Sequence, residues 1–167
     1  NNVNGGFKDL PIEVFESKYP VSIFNYGFRE NSGGLGKSRG GLGLYREYTI
    51  NTDGFVSLWF ERSVTPAWGL FGGKDGLPPN VNIKIPNEDE KNLLKANGLQ
   101  IKKGTVLTTY TGGGGGFEEP LDRDPKKVLN DVKNRYVSIE KAKEDYKVSI
   151  TADLEIDQSI TDKLRNK

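Results

Sequence analysis

The spacing of apolar positions changes twice along the chain, and each change predicts a different kind of element. Leu10-Pro11 followed by IEVFESKY reads as a short helix, with Asp9 or a neighbour as its cap and Pro11 in the first turn, where the missing N–H costs nothing. Pro20 stops it. Residues 21–30, 42–50 and 55–63 are then rich in aromatic and β-branched residues with partial alternation, which predicts three strands. Asn51-Thr52-Asp53-Gly54 joins the last two and contains Asp-Gly, so these two strands are expected to form an antiparallel hairpin.

Residues 65–79 hold four Gly, three Pro and Trp68 and read as loop. Residues 81–85 (VNIKI) predict a further strand. A short strand at 100–101, a reversal at Lys103-Gly104 and a strand at 105–111 follow, the last running into five consecutive glycines.

From Leu121 the period becomes helical. Asp124-Pro125 is a cap with a first-turn proline, and Val128, Leu129 and Val132 fall on one face. Ser138 caps a second helix over 139–146, in which Ala142 and Tyr146 share a side with Ile139. Residues 147–150 predict a brief strand. Asp157 caps a last helix over 158–165, with Ile160 and Leu164 four apart. The expected fold is mainly β, an antiparallel sheet in a sandwich or barrel-like arrangement, with a small carboxy-terminal α-helical annex: α+β overall. Residues 1–120 form the β-rich body and 121–167 the annex, packed together as a single domain with one core, as 167 residues would allow.

Composition narrows the chemistry. The chain has no Cys, His or Met. Disulfides, thiolate or imidazole zinc sites, Ser-His-Asp triads and Cys-His pairs therefore lack their side chains, and acid–base work would fall to Asp, Glu, Lys or Tyr. Lys and Arg number 24 against 23 Asp and Glu, interspersed, which argues against a polybasic nucleic-acid or membrane-surface binder. Mean hydropathy is −0.61 and no apolar run approaches the roughly 20 residues of a spanning helix. These features, with no visible leader, lead us to expect a cytoplasmic protein without membrane or nucleic-acid partners. The start at Asn1-Asn2-Val3, without Met, reads as a piece of something longer.

Glycine is in excess, 21 of 167 residues, and the excess is local: six lie within 33–43 and five make up 112–116. Gly36-Lys37-Ser38 imitates the end of a phosphate-binding loop, but the motif's first glycine would be residue 31, which is Asn, and a strand follows where a helix is needed. The nucleotide reading is refused. Two readings of 33–43 stay open. Its amides could bind an anion or admit a close-approaching chain, with Lys37 and Arg39 adding charge; or the glycines only supply positive φ and tight crossings, with both cations solvated. Gly112–Gly116 carries no side chains, so its work is conformational, and close packing against another surface is expected. Trp68-Gly69-Leu70-Phe71-Gly72-Gly73 is a ligand platform, an inter-subunit anchor, or a loop tucked over its own core. Asp122-Arg123-Asp124 is an ion-pair cluster or part of a hard-metal site, and we read Asp124 as the helix cap.

Four segments in series carry a resemblance: LPIEVFESKYP, RENSGGLGKSRGGLGLYREYTI, VSLWFERSVTPAWGLFGGKDG, and the glycine run leading into EPLDRDPKKVLNDVKNRYVSIEKAKEDYKV. Their order and spacing resemble the carboxy-terminal part of the hydantoinase B/oxoprolinase family, which includes N-methylhydantoinase, 5-oxoprolinase and ketone carboxylase relatives. The resemblance implies membership of an ATP-dependent complex that opens cyclic amides or carboxylates ketones. It implies as partners the remaining part of a B-type subunit and an A-type ATPase subunit. ATP and a divalent metal are then expected on those partners, with no cofactor or metal bound by this chain. No catalytic residue carries over. The strongest matches are Ser32, Gly33, Gly34, Gly36, Arg39, Gly40, Gly41 and Gly43, with Trp68, Gly69, Gly72 and Gly73. Thr111 before the glycine run and Phe117-Glu118-Glu119-Pro120 after it depart from the family pattern, Glu118 placing a charge where a small residue is usual. Candidate binding or interface positions are Gly33, Gly34, Lys37, Arg39, Gly40, Gly41, Trp68, Gly72, Gly73, Gly113, Gly114 and Gly115. A second function class, a non-catalytic β module binding a ligand or protein through these loops and Trp68, stands beside the first.

Overall fold

A computed structural model describes residues 10–166. In chain order the elements are α1 (Ile12–Lys18), β1 (Val21–Phe28), β2 (Leu44–Ile50), β3 (Gly54–Trp59), β4 (Asn80–Lys84), β5 (Lys91–Asn92), β6 (Lys95–Ile101), β7 (Val106–Tyr110), α2 (Pro125–Lys133), α3 (Ile139–Asp145) and α4 (Gln158–Arg165). Five strands form one antiparallel sheet in the order β1-β2-β7-β4-β5, and β3 pairs with β6 in a second. The larger sheet ends at β1 and β5 and does not close into a barrel.

The expected hairpin between residues 42–50 and 55–63 does not form. β2 is hydrogen-bonded on both sides, Gly27↔Tyr45 towards β1 and Tyr45↔Tyr110 towards β7, which leaves no edge for β3. The link between them instead crosses to the other sheet, held by Asp53. Its carboxylate accepts the Lys103 amide at 2.8 Å and meets Lys102 Nζ at 3.4 Å, which holds its pKa below the ordinary aspartate value, chiefly through the backbone bond. Gly54 has no positive φ; the glycine that supplies one is Gly104, at 88° in the reversal between β6 and β7. β5 is two residues long, too short for a period to show, and β6 lacks a clean alternation because Gly98, at φ 63°, interrupts it near the irregular pairing opposite Val56 and Leu58.

The buried residues fall into two clusters. Leu58, Val81, Ile83, Ile85 and Ile101 fill the space between the two sheets. Val128, Val132, Val137, Ala142, Tyr146, Val148 and Ile150 form a second core under the carboxy-terminal helices, with Leu35 packed against it. The single core expected from length is therefore two, with glycine-rich segments between them.

All three carboxy-terminal caps form as their residues dictate. Asp124 accepts the Lys126 amide, Ser138 the Lys141 amide and Asp157 the Ile160 amide. The strand expected at 147–150 does not. Its amides are diverted to the helices, Val148 N to the Ala142 carbonyl at 3.0 Å and Ser149 N to Thr161 Oγ1 at 3.0 Å, so only Ile150 makes a bridge, to Ile156. At the other end, α1 begins at Ile12, with Pro11 in the N-cap position instead of the first turn and no side chain capping the helix; Asp9 lies outside the described residues.

Candidate functional site

Between the two cores, extended segments pack as bare backbone. The run Gly112–Gly116 passes through the middle, and residues 32–43 and 67–77 wrap it. Gly113 N donates to the Leu77 carbonyl at 2.9 Å, Gly114 N to Gly41 at 2.8 Å and Gly116 N to Lys74 at 2.9 Å. The run's carbonyls accept in turn: Gly114 O from Gly34 N at 2.8 Å and Gly116 O from Leu70 N at 2.9 Å. Phe117 and Ser38 then exchange both bonds, at 3.0 and 3.1 Å.

A strand in a sheet has backbone on two sides and leaves two faces for side chains. This run has backbone on every side. A methyl group at Gly113 would strike the Ser32 carbonyl, at Gly115 the Trp68 carbonyl and at Gly116 the Leu35 carbonyl. The surrounding glycines are just as confined. A methyl at Gly34 would lie 2.6 Å from Gly116 N, at Gly36 2.6 Å from Phe117 N, and at Gly73 2.7 Å from Phe117 N. A methyl at Gly33 would strike the Gly40 carbonyl and one at Gly40 the Gly114 carbonyl, whereas Gly41 has nothing within 4 Å of where its methyl would be.

Neither reading of 33–43 holds whole: the glycines lie where this chain's own backbone crosses closely, but without positive φ and with Arg39 turned inward. None of these glycines has positive φ; among the candidates only Gly72 does, at 95°. The Gly34, Ser38, Gly40 and Gly43 amides donate to protein oxygens, the last to Ser32 Oγ at 2.8 Å, so they form no open anion cradle.

The charged candidates sit at the borders of this lattice of crossing glycine-rich backbone. Lys37 Nζ meets Glu118 Oε2 at 2.7 Å, which raises the lysine pKa through that hydrogen bond first and the opposite charge second. Glu118 holds a left-handed backbone, φ 59°, so the charge that departs from the family pattern is spent on this pair. Arg39 turns inward. Its Nε lies 3.3 Å from Asp131 Oδ2 and its Nη1 donates to the Gly40 carbonyl at 2.6 Å.

Asp131 is absent from the sequence candidates, and Arg123 enters them only with its neighbours Asp122 and Asp124, yet the two lock the annex to the lattice. Arg123 Nη2 donates to Asp131 Oδ2 at 2.7 Å, and its Nη1 to the Lys37 carbonyl at 2.9 Å. The signal for Asp131 was present: it falls on the face of α2 carrying Val128 and Val132, where an unpaired charge would be costly. Beside this cluster Tyr146 is fully buried, and among the described residues its hydroxyl makes no well-formed hydrogen bond, the Gly36 backbone being its weak polar neighbour. Burial pushes the phenol up to about 12; Arg123 pulls the other way, and the Gly36 backbone offsets it least of all.

Trp68 is 63% exposed, with the Arg62 guanidinium 5.2 Å from its ring centre. Phe71 is 77% exposed, held at φ 51° and touched edge-on by Phe117 with ring centres 5.3 Å apart. The loop is therefore not tucked over its core: rigid backbone holds Trp68, Leu70, Phe71 and Phe117 in solvent. Among the described residues no three carboxylates converge as a metal site would need, and no helix is long and apolar enough to cross a membrane.

These features define a glycine-packed scaffold between an antiparallel sheet and a helical annex, presenting aromatic side chains outward. The chain belongs to the hydantoinase B/oxoprolinase family, whose model matches residues 1–120. It is 35% identical over 160 residues to the B-type chain of a putative D-/L-hydantoinase from a Pseudomonas species, covering 95% of this chain and 27% of that one. The crystal structure of ATP-dependent caprolactamase from Pseudomonas jessenii superposes with a TM-score of 0.76 at 28% identity, covering 94% of this chain and 28% of that one. A nucleotide-free acetone carboxylase structure shares the fold, with a TM-score of 0.74 at 23% identity over 93% of this chain and 26% of that one. The chain thus spans little more than a quarter of the length of these relatives.

Proposed function

We propose that this chain is the carboxy-terminal domain, or a separately encoded small subunit, of an ATP-dependent complex that hydrolyses cyclic amides or carboxylates ketones. Its contribution is shape and subunit contact, with the reacting groups on other polypeptide. Residues 1–120 and 121–167 act as one unit, tied by the Arg39–Asp131–Arg123 cluster. Its partners are the remaining part of a B-type subunit and an A-type ATPase subunit; ATP and a divalent metal bind there, in the cytoplasm.

One observation carries this reading: aromatic side chains stand in solvent on a backbone too tightly packed to fold them away. Phe71 keeps a left-handed φ that an aromatic residue adopts only at a cost, and gains one ring contact for it. Such a residue is accounted for by a surface that covers it. The chain's membership of a family whose matched members are several times longer supports the presence of such a surface.

Reconstitution tests the proposal. Adding this chain to the remaining subunits should restore ATP-dependent turnover of a cyclic amide or ketone, and Trp68→Ala with Phe71→Ala should weaken assembly without unfolding the chain. Full turnover by the other subunits alone would contradict it.

A further inference from the structure

The outer edge of β1 changes character along its length. At its start it is closed, because the Val21 amide donates to the Tyr19 carbonyl at 2.7 Å and the Ile23 amide to Glu16 Oε1 at 2.6 Å. A bulge between Ile23 and Asn25 then bends the strand. Both are devices that natural sheets use to blunt an edge.

Beyond the bulge the edge is open. Arg29 N donates inward to the Gly43 carbonyl at 2.8 Å, so antiparallel alternation turns the amides and carbonyls of Phe28 and Tyr26 outward. Neither amide has a hydrogen-bond partner among the described residues. Phe24, Tyr26 and Phe28 are 67%, 48% and 57% exposed around this stretch, and the adjoining helix α1 contains no buried residue. Even β2, an interior strand of the sheet, has none. Among the described residues, half of the edge is guarded while the other half has unpaired amides beside rings that stay largely exposed, even with Tyr26 under the Arg46 guanidinium at 4.3 Å and Phe28 edge-on to Tyr136 at 5.7 Å.

We propose that this open stretch receives an extended segment of the longer B-type polypeptide as an added strand, its backbone pairing with Tyr26 and Phe28 and its apolar side chains covering the exposed rings. The inference rests on the subunit reading given above. That polypeptide is the occupant because the matched segment is only 27–28% of the related chains, which leaves most of their length to pack elsewhere. A second copy fits worse: β1 paired with itself would meet its own bulge after three residues.

The test is capture of the remaining B-type polypeptide by the tagged chain. Tyr26→Pro removes an outward amide without removing a bond to β2, and Phe24→Lys places a charge beside the open edge. Each should reduce capture at least tenfold while leaving the thermal unfolding midpoint near that of the parent. If Tyr26→Pro unfolds the chain, Phe24→Lys decides. Equal capture by the parent and a folded variant overturns the strand-addition proposal and leaves the subunit reading standing. No capture by the parent overturns the subunit reading and this inference with it. Self-association of the parent, abolished by the same variants, overturns the inference in favour of a second copy.

Discussion

Arg123 and Arg39 share one carboxylate: Asp131 Oδ2 lies 2.7 Å from Arg123 Nη2 and 3.3 Å from Arg39 Nε. All three side chains are at most 14% exposed. Removing the acceptor would leave two guanidinium groups close together in a poorly solvated space. Breaking a buried pair on one side costs about 3–5 kcal/mol. Asp131→Ala should therefore lower stability by roughly that amount, and Asp131→Asn, which keeps an acceptor, by less. Urea unfolding followed by tryptophan fluorescence and by circular dichroism reads both. An unchanged midpoint in Asp131→Ala would mean that the annex does not depend on this lock.

Tyr146 gives the fold a specific alkaline weakness. Its phenol sits at about 12 in the folded protein against a usual value near 10, so the folded state holds the proton more tightly than the unfolded state. Stability from this group is complete below pH 10 and is lost as pH rises towards 12, by about 3 kcal/mol for a two-unit difference. Tyr146→Phe should flatten that part of the stability profile. Because the hydroxyl makes no well-formed hydrogen bond among the described residues, the same substitution should be close to neutral at pH 7. Denaturant titrations at pH 7, 9 and 10.5 on both proteins check the sign.

Ser32 joins two passes of the lattice with one fully buried side chain. Its hydroxyl donates to the Arg29 carbonyl and accepts the Gly43 amide at 2.8 Å. Ser32→Ala fits the space but strands the buried Gly43 amide and removes a bond from the half-buried Arg29 carbonyl, at a cost of about 1–3 kcal/mol. Thermal unfolding should show a fall of several degrees. A change below one degree would remove Ser32 from the set of residues that fix the lattice.

Different parts of the molecule were legible in the sequence for different reasons. The helical annex was read nearly to the residue, because caps such as Asp124, Ser138 and Asp157 act on amides two or three positions away and need no distant partner. Strands β1 to β4 and β7 were legible from composition, but β5, most of β6 and the strand partners were not, and the strand expected at 147–150 is absent from the described structure. Asp53-Gly54 is good hairpin chemistry, yet β7 takes the edge of β2 that the hairpin would have used, and nothing local to residues 51–54 announces that. The close packing of Gly112–Gly116 could be anticipated from the run itself. Which carbonyls press on it, and that Gly41 alone in its neighbourhood is free, depends on how 32–43 and 67–77 wrap it. The apolar face of α2 marked Asp131, but its partners were hidden because they lie 92 and 8 residues away.

The central claim is that the glycines serve close approach of backbone to backbone, and two neighbours provide the most direct measurement. At Gly40 a methyl group would press on the Gly114 carbonyl, 2.6 Å from its carbon, whereas at Gly41 it would meet nothing within 4 Å, and neither residue has positive φ. Urea unfolding of Gly40→Ala and Gly41→Ala should therefore differ sharply. Gly40→Ala should lose about 1–3 kcal/mol or more through overpacking against backbone that cannot yield, while Gly41→Ala stays within about 0.5 kcal/mol of the parent. Equal losses at the two positions, or none at Gly40, would contradict the account.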